Sequence, residues 1–364
     1  MASHGVSRPA VAAVKSEQAR RQELAEIEKY KSLSELVNKK KAENDLSLDA
    51  LDLTTKLVSL NPEYYTLWNY RRLILLRLFE QEQGNGGSTG SEATDALSPR
   101  QQVVEELITA DLQFLIPLFF KNPKCYWLWN HRDWLLQQAQ AQLPPVTALK
   151  LWQGELSLVG KMLSLDSRNF HGWGYRRTVI AKLEQLQDTN MAESEFEYTT
   201  KVIKASLSNF SAWHYRGNLI PRLLDSCQAD STTRRKRLND EFKFIEQALW
   251  TDPYDQSLWG YHQLLILNIV PTAGRQSFVS DLTNSERLDL LEREFKGTRD
   301  LLEGAEKCKW IYQALLQYAE LYLELDASNR LFTTQDLRHW LDQLKELDTL
   351  RTGRWNDLEK KLNL

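Results

Sequence analysis

The sequence predicts an all-α protein assembled from stacked helical hairpins, and three observations lead there. Helix breakers are scarce, with 15 Gly and 10 Pro in 364 residues, against roughly 7% and 5% in an average protein. Leu, Glu, Gln and Lys, which lose little side-chain freedom in a helix, are plentiful. A tryptophan-centred segment also recurs at intervals of about 40 residues, room for two helices and two turns.

Five copies of the segment align. They are Asn61-Pro-Glu-Tyr-Tyr-Thr-Leu-Trp68-Asn-Tyr-Arg71, Asn122-Pro-Lys-Cys-Tyr-Trp-Leu-Trp129-Asn-His-Arg132, Asp166-Ser-Arg-Asn-Phe-His-Gly-Trp173-Gly-Tyr-Arg176, Asn209-Phe-Ser-Ala-Trp213-His-Tyr-Arg216 and Asp252-Pro-Tyr-Asp-Gln-Ser-Leu-Trp259-Gly-Tyr-His262. The tryptophans lie 61, 44, 40 and 46 residues apart. A sixth, degenerate copy is expected around Trp310. Asn and Asp are favoured helix N-caps and proline fits the first helical turn. Asn61, Asn122, Asp166 and Asp252 are therefore expected to start helices. The aromatic three residues before each Trp (Tyr65, Tyr126, Phe170, Phe210) is expected to share its buried face. Preceding segments such as residues 51–60 carry an apolar stripe of helical period, the other arm of each hairpin.

The rest of the chain follows from this frame. Residues 1–45 read as a tail and charged lead-in helix, 46–325 as the repeats, and 326–364 as C-terminal helices. The long first interval is explained by a Gly/Ser/Thr-rich surface insertion at 84–98, which lacks the Gly-Lys-Ser/Thr ending of a phosphate-cradling loop. Residues 270–285 read as a loop.

Composition narrows the function. With 42% hydrophobic, 26% charged and 10% aromatic residues, the chain is not a disordered one. Lys+Arg 46 against Asp+Glu 49 leaves a net charge of −3, so no global field favours nucleic acid. The basic run Arg234-Arg235-Lys236-Arg237 reads as a solvated face. Cys125, Cys227 and Cys308 form neither CxxC nor a disulfide framework, as expected of a reducing compartment. No apolar signal core opens the chain and no run of about 18 apolar residues occurs, so a cytoplasmic protein without a membrane span is expected.

Two positions carry chemistry. Five residues before the Trp stand Glu63, Lys124, Arg168 and Tyr254 in the four full-length copies. A cation there lies beside a helix start, which itself favours anions, so Lys124 and Arg168 mark potential anion sites. His131, His171, His214 and His262 fall in separate copies without ligand spacing, so no intrinsic zinc site is expected. The repeated tryptophans (Trp68, Trp129, Trp173, Trp213, Trp259) read as fillers between stacked helices. The repeated arginines (Arg71, Arg132, Arg176, Arg216) read as ties to carboxylates or carbonyls of neighbouring copies.

The recurring Asn-Pro-x-x-Tyr-x-x-Trp-x-x-Arg, in register over about residues 50–325, resembles the repeats of protein prenyltransferase α subunits. The His4-Gly5 start, Asp252–His262 and Cys308–Leu315 look most like the type II, Rab-geranylgeranylating branch, in its compact fungal form without immunoglobulin-like or leucine-rich additions. The resemblance implies a right-handed α–α superhelix embracing a β subunit in a 1:1 heterodimer. It implies transfer of geranylgeranyl from geranylgeranyl diphosphate to C-terminal cysteines of Rab GTPases presented by an escort protein. Zinc, bound by the β subunit, would activate the thiol. Lys124 matches the family lysine beside the diphosphate, and Asn169 and His171 match family positions near the lipid diphosphate and the peptide. Tyr126, in the same motif as Lys124, reads either as a hydrogen-bond donor near the substrate or as a half-buried core ring. Phe170 stands where the farnesyl enzyme has Tyr, so a hydroxyl contact is lost there. His4 is a candidate to reach the partner's zinc. Two other readings stay open: the α subunit shared by farnesyl and type I enzymes, and a helical-repeat scaffold that only binds proteins.

Overall fold

The computed structural model describes residues 16–80, 97–270, 277–326, 328 and 331–364. Among them every regular element is helical. The chain divides into two compact units at Thr189 and Asn190. The first holds α1 (Glu17–Ala42), α2 (Leu48–Leu60), α3 (Tyr65–Glu80), α4 (Pro99–Lys121), α5 (Tyr126–Gln142), α6 (Pro145–Leu165) and α7 (Phe170–Gln187). The second holds α8 (Ala192–Ala205), α9 (Phe210–Ser226), α10 (Ser231–Thr251), α11 (Gln256–Ile269), α12 (Asn284–Asp300), α13 (Lys309–Leu325), α14 (Thr334–Leu347), a 3-10 turn (Thr349–Arg351) and α15 (Thr352–Leu362). In each unit the helices pair as antiparallel neighbours, α2 with α3, α4 with α5 and α6 with α7, then α8 with α9, α10 with α11 and α12 with α13. The Trp-bearing helices also pack on one another, α3 on α5 and α5 on α7, α9 on α11 and α11 on α13.

In the four full-length motifs the opening Asn/Asp does the opposite of what its residue type suggested. Asn61, Asn122, Asp166 and Asp252 close α2, α4, α6 and α10, each donating its N–H to the carbonyl four residues back. A tight turn follows, in which the N–H three residues on returns to the same residue's carbonyl: Tyr64 to Asn61 (3.3 Å), Cys125 to Asn122 (3.0 Å), Asn169 to Asp166 (3.1 Å) and Asp255 to Asp252 (3.3 Å). Asn61, Asp166 and Asp252 brace their turns by accepting the N–H two residues on. Proline sits at the second position of three of these turns, as Pro62, Pro123 and Pro253, where its fixed φ suits the bend. The cap of the next helix falls three residues later, on Cys125, Asn169 and Asp255, while in the shorter fourth copy the opening Asn209 itself caps α9.

Each tryptophan locks its own turn. The indole N–H donates to the carbonyl six residues back: Trp68 to Pro62 (2.8 Å), Trp129 to Pro123 (3.1 Å), Trp173 to Ser167 (2.9 Å), Trp213 to Leu207 (2.8 Å) and Trp259 to Pro253 (2.7 Å). All five rings are buried. The sixth copy keeps this register on Tyr312, whose hydroxyl donates to Glu306 O (2.8 Å), and not on Trp310 as the sequence suggested. Trp310 lies two residues too early and is only half-buried. The aromatics three residues before each Trp also depart from expectation. Tyr65, Tyr126, Phe170 and Phe210 are 53–75% exposed. Each is the first residue of its helix, so no preceding turn of that helix covers it.

Three of the repeated arginines, Arg71, Arg132 and Arg216, each tie three helices. Arg71 on α3 holds Asp111 on α4 through Nε (3.0 Å) and a terminal nitrogen, and reaches back to Leu51 O (3.2 Å) on α2. Arg132 on α5 pairs Glu155 on α6 at 2.7 and 2.5 Å and reaches Leu112 O (2.6 Å) on α4. Arg216 on α9 pairs Glu241 on α10 at 2.7 and 2.8 Å and reaches Phe196 O (3.5 Å) on α8. Such forked pairs satisfy a buried carboxylate with fixed geometry. The residue two beyond the next Trp adds a third donor: His131 to Asp111 (2.8 Å), Tyr175 to Glu155 (2.8 Å) and Tyr261 to Glu241 (2.7 Å). Burial and the adjacent glutamates push the Tyr175 and Tyr261 phenols well above their ordinary range, so both remain donors. His262, standing where an arginine would, contacts Glu294 (3.0 Å) and Tyr318 (2.5 Å) instead.

Outside the repeats, α1 is mostly exposed, with Val37 as its one fully buried residue. It is capped by Ser16 and ends on Lys39, Lys40 and Lys41, cations that suit a helix C-terminus. The expected insertion lies almost wholly outside the described residues; Ser98, at its end, caps α4 with a reciprocal bond from Gln101. No described helix is long and apolar enough to cross a membrane.

Candidate functional site

The site of interest lies in the first unit, where the turn between α4 and α5 meets the turn between α6 and α7. The first turn carries Lys124 just before the Cys125 cap, with Tyr126 opening α5. The second carries Asp166, Arg168 and Asn169, with Phe170 and His171 opening α7. Two helix N-termini thus face the same space, a setting that favours anions.

Pro123 O is the joint between the turns. It accepts the Trp129 indole from its own unit and the Asn169 amide (Nδ2, 3.0 Å) from the next. Asn169 Oδ1 simultaneously accepts the N–H groups of His171 (3.0 Å) and Gly172 (3.3 Å), capping α7. Both ends of this buried amide are therefore occupied by backbone. Cysteine takes the same place elsewhere: the Cys125 thiol points at Pro62 O (3.5 Å) and the Cys308 thiol at Pro253 O (3.0 Å). Burial pushes both thiols above their ordinary pKa, which suits a donor and not a nucleophile.

The side chains at the mouth are close together. The Tyr126 and His171 rings meet edge to face at 5.0 Å, and Trp129 stacks under His171 at 6.5 Å. Phe170 covers the imidazole from a third side at 5.6 Å. Burial lowers the pKa of His171, the Lys124 charge lowers it further and Glu63 works against both, so the ring is neutral at neutral pH. Lys124 keeps 52% of its side chain exposed, and its Nζ lies 3.8 Å from Asp166 Oδ2. Arg168 is exposed on the neighbouring turn, where its backbone N–H donates to Asp166 Oδ1 (3.4 Å). The structure thus brings Lys124, Tyr126, Asn169 and His171 together, while the Arg168 side chain stands at their edge. His4 lies outside the described residues.

Sequence reasoning missed two participants. One is Asp166, which it read as a helix start and which is the counter-ion of Lys124. The other is the Pro123 carbonyl, invisible to any reading of side chains. Among the described residues no group of three or more His, Cys, Asp or Glu side chains is placed to hold a metal ion. The second unit contains a groove of about 520 Å³ lined by rings such as Phe210, Trp259 and Trp310 with Arg351 and Arg354 at its rim. It holds none of the motif cations.

Comparisons with known proteins define the class. The model of the protein prenyltransferase alpha subunit repeat matches residues 47–78, 108–139, 152–183, 192–223 and 238–269, which are the five hairpins from α2–α3 to α10–α11. The geranylgeranyl transferase type-2 subunit alpha of Saccharomyces cerevisiae is 32% identical over 358 residues, 97% of either chain. That of Schizosaccharomyces pombe is 32% identical over 367 residues, 99% of this chain and 98% of its own. The Homo sapiens subunit of the same name is 33% identical over 267 residues, 72% of this chain and 41% of its own. Among solved structures, Candida albicans protein geranylgeranyltransferase-I complexed with GGPP shares the fold, with a TM-score of 0.61 and 19% identity over 99% of this chain and 95% of that one. The chain belongs to the protein prenyltransferase alpha subunit family. Membership in a family of α subunits implies a β-subunit partner.

Proposed function

We propose that the chain is the α subunit of a type-2 geranylgeranyl transferase, active with a β subunit on Rab GTPases presented by an escort protein in the cytoplasm. In the transfer, the cysteine sulfur bonds to C1 of the isoprenoid while the C1–O bond breaks, and diphosphate leaves with the bonding electrons. A zinc ion held by the β subunit would favour the thiolate form of the acceptor cysteine; nothing in this chain's part runs through it. Lys124 meets the charge that grows on the departing diphosphate, which is where a fixed cation lowers the barrier most. Tyr126 offers its hydroxyl and His171 a neutral ring at the same mouth, and Arg168 adds a second positive charge at the edge. Asn169 holds the two turns in register through Pro123 O. The exposed rings of Tyr65, Tyr126 and Phe170 give the β subunit apolar surface to cover.

The observation that carries this reading is the meeting of Lys124, Tyr126 and His171 at one mouth in a chain of this family. A scaffold that only bound proteins would not need a cation in one copy, an acid in its neighbour and a neutral histidine between them. The test is substrate choice by the heterodimer purified after coexpression. Transfer to an escort-bound Rab, with little to a free CaaX peptide, is expected. Efficient transfer to the free peptide would assign the chain to the α subunit shared by farnesyl and type I enzymes.

A further inference from the structure

Lys124 is anchored at its backbone and loose at its charge. The turn that bears it is clamped from both sides, because Trp129 Nε1 and Asn169 Nδ2 both donate to Pro123 O, at 3.1 and 3.0 Å. The four-carbon stem beyond is half-exposed, and its ammonium stands 3.8 Å from Asp166 Oδ2, beyond hydrogen-bond reach. That oxygen is buried and has no hydrogen-bond partner. Oδ1 of the same carboxylate braces its own turn through the Arg168 N–H, at 3.4 Å. One oxygen thus serves the fold, while the other faces the lysine without closing on it.

The pair is also particular to this place in the repeat. Matching the residue five before each Trp with the residue seven before the next gives Glu63 with Asn122, Lys124 with Asp166, Arg168 with Ser206, and Ser208 with Asp252. Lys124 with Asp166 is the one match of opposite charges. If Asp166 served only the turn, Asn would do as well, as it does at Asn61.

We infer that Asp166 is a positioning residue for Lys124: it holds the ammonium over the mouth when no diphosphate is bound, and gives it up to the incoming anion. This rests on the role assigned to Lys124 above. A diphosphate carries more negative charge than one carboxylate and takes the ammonium at hydrogen-bond distance, so the exchange favours the substrate. The carboxylate then competes for the same cation as the product diphosphate leaves. It keeps the lysine in place between turnovers and limits how tightly the product is held.

The test is calorimetric binding of inorganic diphosphate to the coexpressed heterodimer. Asp166→Asn keeps the Oδ1 acceptor for the Arg168 N–H and removes the competing charge. It should tighten binding by about two- to fivefold, the range of a partly exposed ion pair. Lys124→Ala should weaken binding, and adding Asp166→Asn to it should change nothing further. Unchanged or weaker binding by Asp166→Asn, with Lys124→Ala still impaired, would overturn the inference and leave the lysine's role standing. The same tightening in the Lys124→Ala background would show that Asp166 acts through its field alone, and would also overturn it. No effect of Lys124→Ala itself would remove the role of Lys124 and this inference with it.

Discussion

Replacing Lys124 with alanine in the heterodimer is expected to slow geranylgeranyl transfer by about 10- to 1000-fold, the range for losing one preorganised charge at a developing anion. The loss should fall on turnover and on kcat/KM alike, because the contact strengthens as the diphosphate departs. Assembly should be untouched: the side chain is half-exposed and its ammonium stands 3.8 Å from Asp166 Oδ2, so its removal breaks no hydrogen bond of the fold. Steady-state transfer and copurification yield, measured on the same preparation, separate the two effects. Equal turnover for variant and parent would refute the role of Lys124.

The second large effect is structural. Asp111→Ala should destabilise the chain by about 3–5 kcal/mol, the cost of breaking a buried ion pair and stranding one partner. Asp111 accepts from both Arg71 and His131, and all three side chains are almost fully buried. The loss is a large share of the roughly 5–15 kcal/mol that holds a typical domain together. It should appear as a clear fall in the urea midpoint followed by circular dichroism; an unchanged midpoint would contradict the account.

The same network gives the stability a pH dependence with a definite sign. Burial lowers the His131 pKa, and the nearby Arg71 and Arg72 lower it further, against the bond to Asp111. The folded ring is therefore neutral where the unfolded one, titrating near 6.5, takes up a proton. Burial raises the Asp111 carboxyl, but the Arg71 charge and the His131 bond outweigh it and hold it well below the usual carboxylate range. In both cases the unfolded state binds more protons, so stability falls as the medium is acidified. The histidine share is complete above about pH 6.5 and is lost below it; the carboxylate share is lost below about pH 4. His131→Gln keeps a donor toward Asp111 and should flatten the upper part of that decline.

The hairpin architecture was legible because tryptophan is large and its spacing periodic. A ring that must be buried at intervals of about 40 residues leaves few alternatives to stacked helical pairs. Cap assignment failed because Asn-Pro and Asp-Pro serve two purposes. They suit a helix start, and they equally suit a turn that ends one helix and delays the next cap by three residues, as Asn122 and Cys125 do. The sixth copy was misplaced by two residues because a tyrosine hydroxyl replaced the indole as donor, so residue identity misled where register did not.

The carboxylate partners of the arginines escaped notice although their signal was present. Asp111 sits between Ile108 and Leu115, Glu155 between Trp152 and Val159, and Glu241 between Leu238 and Ile245. Each acid interrupts an apolar stripe at minus three and plus four, and all three are buried. An acid in that setting needs a cation, and the repeated arginine is its natural partner. At the site, Lys124 was legible from its difference from Glu63. Its tie through Pro123 O was not, because a backbone carbonyl leaves no mark on the sequence.

Geranylgeranyl transfer to an escort-bound Rab, assayed with this chain alone, the β subunit alone and the two together, tests the central claim most directly. The account predicts turnover by the pair and none by this chain alone, because the part proposed for this chain is to lend a cation while the thiol is activated in the β subunit. Sustained transfer by the solitary chain would contradict it.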